Sequence, residues 1–280
     1  IMIDISPSDN LCAEYFEGIG YGIFQCLLIT FCMIATTLCL YRLFQFSAVK
    51  ACAFSLPVIA ISIELLSNSL KFFAILDLFG SRQFYHHQVD DFLLTFSTPF
   101  TTITNIMITM YWHETLVTHS IQVHKFLKST LFRVLFGILF VILIGVELLS
   151  TSWRLATSTT PSAIRYFPHI LNFSANLFVL IYSTIIIIKL QRRLNAGFNK
   201  SKDLVNTIRI RMIANVVLII ILLLSVVIIA IPPTNRDTGI IKLSLSMGLL
   251  YATQLALSFL QVYSFKPLAM RPPTASTYSA

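Results

Sequence analysis

The sequence predicts an all-α membrane protein: a polytopic bundle of seven transmembrane helices, N-terminus outside and C-terminus in the cytoplasm. Three observations carry this. First, the 280 residues are 56% apolar and only 11% charged, with mean hydropathy +0.80, whereas soluble domains carry about a quarter charged residues. Second, the apolar residues fall in runs of about 20 or more, as a helix needs to cross a bilayer, and not in ten-residue alternating strands. Backbone groups left unpaired in hydrocarbon cost several kcal/mol each, so the runs must be helical. Third, Lys and Arg collect in alternate gaps between the runs.

The runs occupy 18–41, 51–79, 90–112, 127–150, 163–189, 205–231 and 239–265, and the short gaps leave no room for a soluble domain. Three parts follow: an extracellular segment 1–17, a seven-helix domain 18–265 and a cytoplasmic tail 266–280. The first run has acidic residues ahead of it and no small-residue cleavage site, so it is expected to be a retained helix and not a signal peptide.

Basic residues in short loops mark the cytoplasmic side. Fourteen of the twenty, from Arg42 and Lys50 to Lys266 and Arg271, fall in one set of gaps. Five (Arg82, Arg154, Arg165, Arg236 and Lys242) fall in the other, and Lys71 lies inside a span. The first set is therefore cytoplasmic. The net charge of +8 is this positive-inside signal, reinforced by anionic headgroups, and not a nucleic-acid footprint. The bilayer, of the plasma membrane or an endomembrane, is the first partner.

All five cysteines precede residue 53, and only Cys12 is expected outside, so no disulfide can join two outer loops. The membrane cysteines read as small apolar packers. The sequons at Asn172 and Asn199 fall in span five and on the cytoplasmic side, where neither is usable.

Ionisable residues at membrane depth mark candidate sites. Span two carries Glu64, Ser67, Asn68 and Lys71, at spacings that put all four on one face. Glu64 and Lys71 are two turns apart, about 10 Å along the axis, so they are expected not to touch. Glu147 in span four is the candidate partner for Lys71. The group fits equally a ligand or ion site and an interhelical clamp that orients the helix. Span three is rich in hydroxyls and carries Thr98, Asn105 and Pro99, which favour close packing with a bend. Span five offers Asn172 and Asn176. In span seven, Tyr251, Gln254, Ser258 and Gln261 form one stripe. Spans four and six, nearly pure aliphatic, are expected to face lipid most.

No metal site, cofactor motif or catalytic constellation is legible. His86 and His87 are adjacent, and His113, His119 and His124 follow span three; their spacings do not suit shared ligation, and they read as solvated loop residues. No phosphate loop, nucleophile motif or mid-span-seven lysine for a retinal Schiff base is present.

Seven helices in this orientation are the plan of G-protein-coupled receptors, yet the marks of the rhodopsin-like class are missing. Span three ends Tyr111-Trp112-His113-Glu114, and span seven ends Gln261-Val262-Tyr263-Ser264-Phe265 with no Asn-Pro ahead of the tyrosine. The chain resembles the plant tobamovirus-multiplication proteins and related heptahelical proteins. The likeness lies in Phe96-Ser97-Thr98, Trp112-x-Glu114 and Phe265-Lys266-Pro267, with the order and spacing of the spans. That resemblance implies a receptor-like fold without known enzymatic activity and with roles in scaffolding or trafficking.

The expected function is thus a non-enzymatic, receptor-like protein with an outward-opening polar pocket between spans two, three, five and seven. Its expected ligand contacts are Glu64, Asn68, Lys71, Thr98, Asn105, Glu147, Asn172, Asn176 and Gln254. A cytoplasmic effector or lipid headgroups would meet Glu114 and the third inner loop, 190–212. That loop carries Arg192, Arg193, Lys200, Lys202, Arg209 and Arg211 around a flexible turn. A structural or anchoring subunit of a larger membrane complex, and a small-solute or ion transporter, are the alternatives.

Overall fold

The computed structural model describes residues 19–48, 56–77, 87–118, 130–156, 162–195, 202–231 and 236–265. Among them are seven helices: α1 (Ile19–Ala48), α2 (Leu56–Leu76), α3 (His87–Thr118), α4 (Thr130–Ala156), α5 (Ser162–Asn195), α6 (Lys202–Ala230) and α7 (Arg236–Ser264). Each overlaps one expected run, but most run past it. α1 continues to Ala48 where the apolar run stops at 41, and α3 continues through His113. Hydropathy reports where the solvent changes, and a helix continues into the headgroup layer as long as its backbone bonds do.

On length and apolarity α1, α2, α5, α6 and α7 can cross a membrane, which makes this a multi-pass membrane protein. The apolar stretch described for α4 is the shorter Gly137–Trp153, and the hydroxyls of α3 dilute its apolarity. Large apolar side chains such as Phe44, Val141, Leu149 and Leu245 stand about two-thirds exposed, a surface made for lipid, not water. Outward hydroxyls satisfy themselves. Thr30, Thr37, Ser62 and Thr184 each donate to the carbonyl four residues earlier at 2.8–2.9 Å, so none presents an unpaired group to hydrocarbon. Helix α2 begins Leu56-Pro57, where proline removes no needed donor. Its last carbonyls, of Ile75 and Leu76, accept from Gln25 Nε2 of α1 at 2.7 and 3.0 Å. Pro99 and Pro168 sit inside α3 and α5, and both helices run through them.

Successive helices pack on one another, α1 returns to α7, and α3 occupies the middle, packed on α2, α4, α5, α6 and α7. The C-terminal ends of α1 and α5 and the N-terminal end of α6 carry Arg42, Lys189, Arg192, Arg209 and Arg211; this is the basic end of the bundle. A large apolar cluster including Ile61, Ile103, Trp112, Met212, Leu257 and Phe265 fills that half. A smaller one, with Leu28, Ala74, Ile75, Leu93, Met247 and Leu255, fills the other. On α2 the first cluster stops at Ile61 and the second resumes at Ala74. The polar residues of α2 lie between.

The expectation that α6 faces lipid more than the polar helices holds against α2 and α7, both more buried, but not against α5, which is buried less; Ile208, Met212, Ile219 and Leu222 of α6 are core residues. Lipid tails are as apolar as a leucine core, so an aliphatic helix carries no sign of which face is inside. At the α1–α7 contact, Phe24 lies over Gly248, where an added Cβ would stand 2.7 Å from the ring's Cζ. The ring is partly exposed and can swing aside for a methyl. Gly248→Leu must displace it altogether and is expected to lower stability by about 1–3 kcal/mol, read as a fall in thermal midpoint that Gly248→Ala largely avoids.

Candidate functional site

The four polar residues of α2 share one buried face, as their spacing requires: Glu64 is 1% exposed and Ser67, Asn68 and Lys71 are 0%. Lys71 Nζ lies 3.8 Å from Glu64 Oε1. This corrects the expectation that the two would not touch. Helical side chains lean toward the N-terminus, so the long lysine reaches back along the axis toward Glu64. The other carboxylate oxygen, Oε2, accepts from Thr104 Oγ1 of α3 at 2.7 Å. Glu147 is itself buried, on α4.

Neighbouring helices lock this face in place. Asn68 Nδ2 donates to Ser258 Oγ of α7 at 2.7 Å, and Cys32 of α1 donates to the Asn68 carbonyl at 3.1 Å. Ser67 Oγ donates to the Ser97 carbonyl of α3 and meets Thr101 Oγ1, both at 3.2 Å. Cys32 and Cys39 are buried free thiols, in keeping with packing roles; Cys12 and Cys52 lie outside the described residues.

A second group sits nearer the basic end. Asn105 of α3 is its node: its Nδ2 donates to Asn176 Oδ1 of α5 at 3.2 Å, and its Oδ1 accepts from Gln261 Nε2 of α7 at 2.7 Å. Asn176 Nδ2 in turn donates to Thr102 Oγ1 and to the Asn172 carbonyl, each at 2.9 Å, and Asn172 Nδ2 donates to the Pro168 carbonyl at 3.0 Å. One turn on, Thr109 and Ser183 hydroxyls are 3.4 Å apart, and beyond them Tyr182 is hydrogen-bonded to His113 Nδ1. His113 is thus a half-buried helical residue, and the expectation of a solvated loop histidine is corrected. Polar side chains therefore line α3 at almost every turn from Ser97 to His113.

Of the expected contacts, Glu64, Asn68 and Lys71 come together, and Asn105, Asn172 and Asn176 form the second group. Gln254 is buried on α7; Thr98, half-buried, enters through its carbonyl, which accepts from Thr102 at 3.1 Å. Thr104, Ser258, Gln261 and Tyr182 were not among the expected contacts. The helical stripe on α7 pointed to Ser258 and Gln261; Thr104 was one hydroxyl among many. Asn215 on α6, fully buried, is a lone polar residue with no period to mark it.

Much of the expected third inner loop is helix, since α5 runs to Asn195 and α6 starts at Lys202, while Ala196 and Gly197 of its expected turn lie outside the described residues. Arg209 donates to Gln191 of α5, and the Arg211 guanidinium sits 4.7 Å from the centre of the Tyr263 ring of α7. Arg192 is exposed. Only the backbone of Arg193, Lys202 and Glu114 is described, and Lys200, His86, His119 and His124 lie outside the described residues. Among the described residues no cluster of His, Cys, Asp or Glu could hold a metal ion. No protein-family model, curated protein or solved structure matches the chain.

Proposed function

We propose that the chain is a heptahelical, receptor-like membrane protein, with the basic end in the cytoplasm and a small-molecule site among α2, α3 and α7. One observation carries the reading: buried polar side chains joined from helix to helix along the central α3, from Ser67–Thr101 through Thr104 and Asn105 to His113. Apolar side chains would pack such a bundle without the desolvation that each buried polar group brings. A polar line running from mid-bundle to the basic end gives the helices alternative pairings that a ligand can choose between. The contacts of Arg209 with α5 and of Arg211 with α7 then become the readout, since both must rearrange when α6 moves.

Tags at the two chain ends should report opposite sides of the membrane; both on one side would overturn the topology. Genetically encoded spin labels at the exposed positions Phe44 and Ile210 should show a shifted or broadened distance distribution when Asn105→Leu interrupts the line. An unchanged distribution in a destabilised protein would reduce the line to a clamp. Solute flux in reconstituted vesicles would favour a transporter.

A further inference from the structure

Five buried atoms on three facing helices are left without hydrogen bonds: Lys71 Nζ, Glu64 Oε1 and Asn68 Oδ1 on α2, Ser97 Oγ on α3 and Gln254 Oε1 on α7. Their residues are at most 1% exposed. The pairing register brings Gln254 near the level of Lys71, whose ammonium reaches back to within 3.8 Å of Glu64. α2 meets α7 at Asn68–Ser258, and Gln254, one turn from Ser258, rises about 6 Å, against about 4.5 Å from Asn68 to Lys71. α2 meets α3 where Ser67 reaches the Ser97 carbonyl. The unused groups are therefore one ammonium with its N–H donors, one carboxylate oxygen, two amide oxygens and one hydroxyl that can donate or accept.

The charges restrict what can complete this set. Glu64 and Lys71 cancel, and at 3.8 Å they stand well beyond the roughly 2.7–2.9 Å of a charge-assisted hydrogen bond. An added cation or anion alone would leave a net charge in a low-dielectric bundle. A polyol would leave both charges loosely paired. A zwitterion replaces one loose pair by two tight ones.

We propose that this level of the bundle binds a small zwitterion of the amino-acid class. Its carboxylate accepts from Lys71 Nζ, and its ammonium donates to Glu64 Oε1, Asn68 Oδ1 and Gln254 Oε1. This rests on the receptor-like reading and names the ligand class of that same site.

The test uses the full chain in phosphatidylcholine nanodiscs, with glycine, glutamine and γ-aminobutyrate as probes. N-acetylglycine and glycinamide each remove one charge, and glycerol removes both. At least one zwitterion should bind and raise the thermal midpoint, and its one-charge relative should bind about tenfold or more weakly, the share of one hydrogen bond to a charged group. Glu64→Gln/Lys71→Gln, which keeps the site neutral, should abolish this preference. If that variant fails to fold, Gln254→Leu alone should weaken zwitterion binding several-fold. Equal binding of the one-charge relatives, or binding indifferent to these variants, would overturn the proposal. Binding of glycerol alone, lost in the variants, would retain the site and overturn the zwitterion. If no probe binds, the ligand class falls, and the spin-label experiment decides separately whether the receptor-like reading falls with it.

Discussion

Lys71→Met alone is expected to cost about 3–5 kcal/mol of stability, because it leaves the Glu64 carboxylate buried without its cation. Glu64→Leu should cost a similar amount by stranding the ammonium. The double variant Glu64→Leu/Lys71→Met is expected within about 1 kcal/mol of the parent, since two charges desolvated and paired at 3.8 Å offer little advantage over packed apolar side chains. The Thr104 hydroxyl, whose single hydrogen goes to Glu64 at 2.7 Å, also lies within reach of the Phe100 and Thr101 carbonyls, so it can turn to one of them and is not stranded by the change. Reversible unfolding in mixed micelles measures all three. Single variants within 1 kcal/mol of the parent would mean that water reaches the pair. A double variant as weak as either single would mean that the two charges do not depend on each other. A stable double variant makes the pair dispensable for folding, which turns attention to what else retains it in the bundle.

Much of this site was legible in the residues, and what was not has identifiable causes. Spacings of three, four and seven placed Glu64, Ser67, Asn68 and Lys71 on one face because the helical period depends on backbone geometry alone. Separation along the axis alone hides the Lys71–Glu64 contact, because a lysine's four methylenes lean back toward the helix N-terminus. Gln25 and Asn215 were missed because a single polar residue in an apolar run has no period. The ends of α5 and α6 read as loop because charged residues at a membrane boundary look alike whether the backbone is coiled or helical. Which faces of α4 and α6 turn inward could not be read at all, since leucine is equally at home against lipid and against another helix.

Asn105→Leu is expected to cost about 2–3 kcal/mol. Interhelical hydrogen bonds in membranes average about 0.6 kcal/mol and reach about 1.7, and Asn105 makes two of them, to α5 and to α7. The loss falls mostly on Gln261. Its Oε1 already has no hydrogen bond, so without Asn105 the whole amide is unpaired at 2% exposure, adding the penalty of a stranded buried group. Asn176 loses the donor to its Oδ1 but keeps both Nδ2 bonds, to Thr102 and to the Asn172 carbonyl. Thr109→Val, one turn away on the same face, is the contrast. Its contact with Ser183 is 3.4 Å and its hydroxyl is otherwise spent on its own helix, at the Asn105 carbonyl, so the expected loss is below about 0.5 kcal/mol. Asn105→Leu/Gln261→Leu should recover part of the single-variant loss, because the second change removes the stranded amide. If Asn105→Leu and Thr109→Val cost the same, the stability of this region comes from the close approach of α3 to α5 and α7, and the amides are passengers in that packing.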